Sequence, residues 1–252
     1  MFALALGAAC APGPDREPAT AVIAGASAPA AGATPERGRV RAKANDEVAA
    51  GASCEPQMFD HAPGHHGLFA FEDAASGRMG FRDKRGSVVI APRFRHAYEF
   101  SPEGVVAVID DAGPAFVDTR GRVIARALLE DNGPDYFVGG FARIVESGKV
   151  GFIDASGRVV VRPRFDSAAP FCEGLAVVCE GCWRRPMGEY AVYEGGRWGY
   201  VDTKGRVAIP LDYEAAESFE DGKAEVVRGG RALRIDRRGR VLADVGPAKH
   251  KP

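Results

Sequence analysis

One eight-residue phrase recurs five times along the 252-residue chain and constrains the fold more than any other feature. It reads Phe81-Arg-Asp-Lys-Arg-Gly-Ser-Val, Phe116-Val-Asp-Thr-Arg-Gly-Arg-Val, Phe152-Ile-Asp-Ala-Ser-Gly-Arg-Val, Tyr200-Val-Asp-Thr-Lys-Gly-Arg-Val and Arg234-Ile-Asp-Arg-Arg-Gly-Arg-Val. The shared pattern is aromatic-x-Asp-x-x-Gly-x-Val, with Arg234 in the aromatic place of the last copy. The aspartates Asp83, Asp118, Asp154, Asp202 and Asp236 lie 35, 36, 48 and 34 residues apart. Repetition at such a period marks an array in which each unit buries its apolar face against a neighbour.

The phrase has the chemistry of a hairpin turn. An aspartate at the first turn position accepts hydrogen bonds from backbone N–H groups two residues on, and a glycine three places later takes a positive φ. Gly86, Gly121, Gly157, Gly205 and Gly239 stand at that place. Alternating apolar residues flank the turn, as in Val150 and Phe152 before it and Val159 and Val161 after it, the pattern of strands with one buried face. A calcium loop is the competing reading, but one carboxylate per loop supplies too few oxygen ligands.

A second phrase follows the first: Phe137-Val-Gly-Gly-Phe-Ala, Phe171-Cys-Glu-Gly-Leu-Ala, Phe219-Glu-Asp-Gly-Lys-Ala and the longer Phe100-Ser-Pro-Glu-Gly-Val. Between the two lies Pro92-Arg-Phe94, Pro163-Arg-Phe165 or Pro210-Leu-Asp-Tyr213, where proline is expected to end the second strand because it cannot donate to a ladder. Each repeat therefore reads as a three-stranded antiparallel meander of about 35 residues. This order resembles the WG repeat, whose pattern is best kept at Gly196-Arg-Trp-Gly-Tyr-Val-Asp202; the Trp-Gly pair is replaced elsewhere by Met79-Gly80, Pro114-Ala115, Val150-Gly151 and Ala232-Leu233. The resemblance implies an all-β repeat fold and brings no catalytic residues, metal or cofactor with it.

The frame places repeats at about 77–111, 112–147, 148–195 with an insertion, and 196–229. A fifth is split between 59–73 and 230–245, inside a β domain of 54–246 followed by a tail, 247–252. Counting strands favours an open, curved array over a closed propeller-like ring, because three strands make a thin propeller blade.

Charge narrows the partners. With 33 basic and 34 acidic residues the formal charge is −1, which supplies no general basic face for nucleic acid. Residues 1–10 form a short apolar run ending at Cys10 that resembles the end of a truncated lipoprotein signal, so Cys10 is the expected lipidation site. Eight apolar residues cannot span a bilayer, which needs about 20. Residues 11–53 form an Ala/Pro-rich linker, with no aromatic residue in 11–50, whose composition cannot repay chain entropy. A lipid anchor on Cys10 would tether the domain to the cell envelope; without it the chain reads as cytoplasmic.

Cys54, Cys172, Cys179 and Cys182 are an even set, expected to form one or two disulfides of undetermined pairing in an exported chain. The single Cys-x-x-Cys is half a zinc site, and no second half is present. The period breaks between Cys179 and Gly195, where the insertion carries Trp183, Arg184, Arg185 and Tyr190, residue types that anchor interfaces. His61, His65 and His66 read as part of a solvated lead-in loop. The expected function is a non-enzymatic interaction module for a protein or envelope component, with membrane contact only through the lipid. The alternative is carbohydrate or small-ligand binding by the aromatics Trp183, Trp198 and Tyr200.

Overall fold

The computed structural model describes residues 54–57, 59, 61–130, 133–187 and 190–248, all within the unit 44–252. Cys10 and the linker up to residue 53 lie outside the described residues. The described chain is all β apart from a 3-10 turn at His65–Gly67. It opens with a short strand, β1 (Pro56–Gln57), and then builds five antiparallel sheets in succession. The first holds β2 (Phe69–Asp73), β3 (Arg78–Arg82) and β4 (Val88–Phe94); the second holds β5 (His96–Ala97), β6 (Val105–Asp110), β7 (Gly113–Asp118) and β8 (Val123–Arg126). A small hairpin of β9 (Leu129–Glu130) and β10 (Gly133–Pro134) leads to the third sheet. That sheet comprises β11 (Phe137–Val138), β12 (Phe141–Glu146), β13 (Lys149–Asp154) and β14 (Val159–Phe165), with β1 added beside β11. The fourth holds β15 (Ser167–Ala168), β16 (Leu175–Met187), β17 (Tyr190–Asp202) and β18 (Val207–Tyr213). The fifth holds β19 (Ala215–Ala216), β20 (Lys223–Arg228), β21 (Arg231–Asp236) and β22 (Val241–Pro247).

Hydrogen bonding draws the units differently from the sequence frame. The strand after each second phrase pairs with the strand that follows it, β6 with β7 and β12 with β13, because two-residue turns join them. Ser147 and Gly148, with φ of 50° and 74°, and Gly229 and Gly230, with 59° and 68°, have the paired positive φ values of type I′ hairpins. The Pro-aromatic connector instead carries the chain to the next sheet. The units are therefore 69–94, 96–126, 137–165, 167–213 and 215–247, and none is shared between the two ends: β2 pairs with β3, and β21 with β20 and β22.

Proline does not end the second strand. Pro92, Pro163 and Pro210 sit inside β4, β14 and β18, each the edge strand of its sheet, where a missing N–H costs no ladder bond. There the ladder bulges: Met79 pairs with Phe94 but Phe81 with Ile90, and the same jump separates Val150–Phe165 from Phe152–Val161 and Trp198–Tyr213 from Tyr200–Ile209. The bulged backbone presses onto the glycine of the WG position. A Cβ on Gly80 would lie 2.8 Å from Pro92 N, one on Gly151 2.6 Å from Pro163 N, and one on Gly199 2.7 Å from Pro210 O. The second and fifth sheets have Ala115 and Leu233 at this place and no bulged proline opposite: the second advances in step, Ala115–Arg126 to Phe116–Ala125, and the fifth slips by a single residue, Ala232–Gly246 to Leu233–Asp244. Glycine and proline are thus a coupled pair.

Four apolar clusters join consecutive sheets. Phe81, Ile90 and Phe94 meet Val106, Val108, Ala115 and Val117; Val105, Ala107 and Phe116 meet Ala142, Ile144 and Ile153. Phe152, Val161 and Phe165 meet Ala176, Val178 and Val201; Leu175, Val177, Tyr200, Ile209 and Tyr213 meet Ala224, Val226 and Ile235. Inner sheets are covered on both faces, which is why β6 and β16 carry unbroken runs such as Val-Val-Ala-Val and Leu-Ala-Val-Val rather than alternation. An aromatic ladder runs through these interfaces. The aromatic of each first phrase meets that of the next second phrase, Phe81–Phe100 at 4.7 Å, Phe116–Phe137 at 5.3 Å, Phe152–Phe171 at 4.7 Å and Tyr200–Phe219 at 4.9 Å between ring centroids.

The ladder explains Arg234. At the equivalent positions of the last sheet, apolar residues such as Leu175, Val177 and Tyr200 are replaced by Lys223, Glu225 and the exposed Arg234. Among the described residues no further sheet covers this face, and its charge suits a cap on the stack. The array is open.

Residues before β2 strap the stack from the side, running against its direction. Cys54 is bonded to Cys172 between the third and fourth sheets, with Cα atoms 4.8 Å apart. β1 pairs with β11, and Phe59 enters the core of the second and third sheets among Tyr98, Phe116, Tyr136 and Phe137. His66 Nε2–H then donates to Pro102 O at 2.9 Å before the chain enters the first sheet.

Candidate binding surface

Two features of the sequence become surfaces in the structure, the five Asp-x-x-Gly turns and the insertion. In the turns, one carboxylate oxygen of Asp83 accepts the N–H groups of Arg85 at 2.8 Å and Ser87 at 2.9 Å. The same pair of bonds forms at Asp118, Asp154, Asp202 and Asp236. In the last four, the other oxygen receives Nε of the arginine four residues on, Arg122, Arg158, Arg206 or Arg240, at 2.6–3.0 Å. Gly86, Gly121, Gly157, Gly205 and Gly239 close the turns with φ of 74–86°. Each turn after the first also sits on the preceding sheet. A Cβ on Gly121 would meet Ile90 at 2.8 Å, one on Gly157 Ile124 at 2.7 Å, and one on Gly205 the carbonyl of Val160 at 2.7 Å; among the described residues nothing lies near Gly86, in the first sheet.

These turn carboxylates respond to pH in a defined sense. Partial burial, the largest single influence, pushes Asp118, Asp154, Asp202 and Asp236 upward, but the hydrogen bonds and the arginine charge outweigh it and hold all four below the ordinary carboxylate value. A folded pKa below the unfolded one, about 3.9, gives stability that is full above that value and is lost as pH falls through the folded pKa. The urea midpoint is therefore expected to be flat from about pH 7 to 5 and to fall below about pH 4. An Asp154→Asn/Asp202→Asn variant should start lower and show a shallower acid slope.

The insertion is not a loop but an extension of β16 and β17 beyond their sheet. The fourth-sheet ladder continues from Cys182–Gly195 through Trp183–Glu194, Arg184–Tyr193 and Arg185–Val192 to Met187–Tyr190. Among the described residues neither outer edge of this ribbon is paired, since β15 reaches only Cys179 and β18 only Trp198. At its neck Gly181 and Gly196 both have positive φ, 76° and 68°, and a Cβ on Gly196 would lie 2.6 Å from Glu180 O, so the strands cross there too closely for any side chain. Cys179 and Cys182, both on β16, are bonded to each other along that strand at the neck, with Cα atoms 6.2 Å apart. Asp166 steadies it by accepting Gly181 N–H at 2.7 Å while pairing with Lys149.

Of the residues singled out from sequence, Trp183 is 58% exposed, with its ring over Gly195. Arg185 shares that face and pairs with Glu194 at 2.6 Å. Arg184 is exposed on the opposite face beside Tyr193, which is 37% exposed. Tyr190 opens the return strand; its side chain lies outside the described residues. Sequence reasoning missed Tyr193 because it ended the insertion's aromatics at Tyr190, although an equal arm on the far side of the turn would have reached Gly195.

One other expectation is corrected. Tyr200 is fully buried and donates its hydroxyl to Glu217 O at 2.8 Å, and burial raises its pKa strongly; it is no exposed aromatic. Trp198 is half-buried against the core of the fourth and fifth sheets, and its Nε1–H donates to Gly195 O at 2.9 Å. The ring–sugar reading keeps only Trp183.

Stacked meanders with an extended hairpin define a β-repeat protein of the open-array class. The WG containing repeat matches three stretches of the chain, residues 79–111, 151–181 and 198–231. Each match begins at or beside a glycine that faces a bulged proline, Gly80, Gly151 or Gly199. No curated protein matches the chain. Two solved structures are similar in part. A crystal structure of the eukaryotic initiation factor is 11% identical over 75% of this chain, with a TM-score of 0.32; this chain covers 65% of its length. A protein of unknown function from Bacteroides caccae is 15% identical over 73% of this chain and 79% of its own, with a TM-score of 0.22.

Proposed function

We propose that this WG-repeat array is a non-enzymatic interaction module whose protruding ribbon, Cys182–Gly195, engages a protein or another envelope component. The observation that carries the reading is the ribbon itself. It adds nothing to the sheet stack, exposes Trp183 and Tyr193, and is fixed at its neck by glycines and a disulfide. Preorganised aromatic and arginine side chains are what an interface anchor requires. A groove of about 600 Å³ beside Pro114, Arg126, Leu129 and Val145 is lined by one arginine and one glutamate, Arg126 and Glu146. Two disulfides support an oxidising location, and with Cys10 as the lipidated residue the module would be tethered to the envelope.

The test uses the full chain. Trp183→Ala should leave the urea midpoint within about 0.5 kcal/mol of wild type, as for an exposed site, and abolish co-purification of partners from envelope extracts. Radioactive palmitate should label the wild type and not Cys10→Ala. Unchanged co-purification with Trp183→Ala would remove the ribbon from the proposal.

A further inference from the structure

The second surface is independent of the ribbon. The five Asp-x-x-Gly turns stand at the same end of their sheets, and the last four are each seated on the edge strand of the sheet before, so the turns follow one another in a line. The five turn segments, 83–87, 118–122, 154–158, 202–206 and 236–240, hold ten Lys or Arg against five Asp, a net charge of +5 on a chain whose total is −1. The turn aspartates and the four arginines bonded to them are occupied with one another, whereas Lys84, Arg85, Arg120 and Lys204 are exposed and project from the line.

An apolar row runs beside these cations. The valine that ends each phrase is exposed in all five units: Val88 56%, Val123 44%, Val159 42%, Val207 48% and Val241 52%. An apolar residue at the same surface position five times over is more than scattered exposure, and an aligned row of this kind marks an interaction site. The neighbouring edge strands bear Pro92, Pro163 and Pro210, which deny an incoming strand continuous backbone pairing, so recognition there falls to side chains. The acidic second-phrase turns are partly withdrawn: the carboxylate of Glu173 accepts Gly222 N–H at 3.0 Å.

We infer that this turn edge is a docking rail for an extended polypeptide segment that carries both carboxylates and aliphatic side chains. Cations spaced by sheet stacking, about 10 Å per repeat, match carboxylates distributed along an extended chain, and five repeats span about 40 Å, or roughly 12 residues at 3.3 Å each. The valines decide between polyanions. A sulfated or phosphorylated polymer satisfies the cations but offers no aliphatic groups to cover the valine row, whereas an acidic, aliphatic peptide satisfies both. Arginine and lysine at the rail set approach rate and salt dependence, and the valines set selectivity.

The test is fluorescence anisotropy of a labelled 12-residue peptide of Glu-Val-Glu triplets with the full chain at several salt concentrations. Wild type should bind with an affinity that falls steeply with salt. Arg85→Gln/Arg120→Gln/Lys204→Gln should weaken binding at least tenfold and flatten the salt dependence. Val123→Thr/Val159→Thr/Val207→Thr should weaken it several-fold while leaving a Glu-Gly-Glu peptide unaffected. All variants should melt with the wild type, since these side chains make no core contact. Absence of binding by the wild type, equal affinity of the triple variants, or tighter binding of a sulfated polysaccharide than of the peptide would overturn the rail. Because Trp183→Ala lies outside it, loss of ribbon binding with an intact rail, or the reverse, separates the two proposals.

Discussion

Gly151→Ala should be the most damaging single-methyl change in the third sheet, costing about 3 kcal/mol or more, the upper part of the overpacking range. The new Cβ would lie 2.6 Å from Pro163 N and 2.8 Å from Pro163 Cδ, and neither backbone nor ring can give way without opening the β13–β14 bulge. Flexible side chains can move aside; a bulged backbone packed over Val161 and Phe165 cannot. The converse change, Ala115→Gly, should cost no more than about 1 kcal/mol, the ordinary price of glycine in a strand, because the second sheet has no proline bulge to accommodate. Urea denaturation of the two variants checks the pair. A Gly151→Ala midpoint close to wild type would mean that the bulge is not the reason for the glycine.

Cys54→Ser should lower stability by about 4 kcal/mol and the melting temperature by roughly 10 °C. Its bond to Cys172 closes a loop of sequence separation 118, and on the chain-entropy account a loop of about 100 residues is worth about 4.7 kcal/mol. The loss has a structural side as well. Releasing the bond frees the strap, and with it the β1–β11 pairing and the hold of Phe59 on the second and third sheets. Cys182→Ser should cost much less, because its bond to Cys179 spans a separation of only 3 and constrains the neck of the ribbon rather than the stack. Scanning calorimetry of the two variants, with and without reductant, tests the ranking. Reductant should have little further effect on Cys54→Ser.

Much of this architecture is legible in the sequence, and what escaped has physical reasons. The Asp-x-x-Gly phrase is a local device whose partners lie within four residues, so its hydrogen bonds follow from the residues themselves, as at Asp118 and Arg122. Which strands share a sheet is not local. The second-phrase strand could join the hairpin before or after it, and a two-residue turn such as Ser147-Gly148 decides for the one after. Pro92, Pro163 and Pro210 mislead for a similar reason: proline ends a strand inside a sheet but not on an edge, and edges exist only once the sheet is assembled. Tyr200 looked like a ligand platform because an aromatic in a repeat motif gives no sign of which face it takes; its four-membered ladder with Phe81, Phe116 and Phe152 marks it as core. The departure at Arg234, by contrast, was visible as a sequence anomaly, and its meaning waited on finding its face uncovered among the described residues. Of the candidate surface, Trp183 and Arg184 lie within the insertion that the broken period marks, just beyond its neck, while Tyr193 needed the register of the ribbon.

The open stack is tested most directly by one distance. Nitroxide labels at Val88→Cys on the first sheet and Val241→Cys on the fifth, in a Cys10→Ser background with both disulfides intact, should report a separation beyond about 25 Å, as four intervals of about 10 Å in a curved array require. A distance near 10 Å, the spacing of directly packed sheets, would place the first and fifth sheets side by side and contradict the charged cap and the open array together.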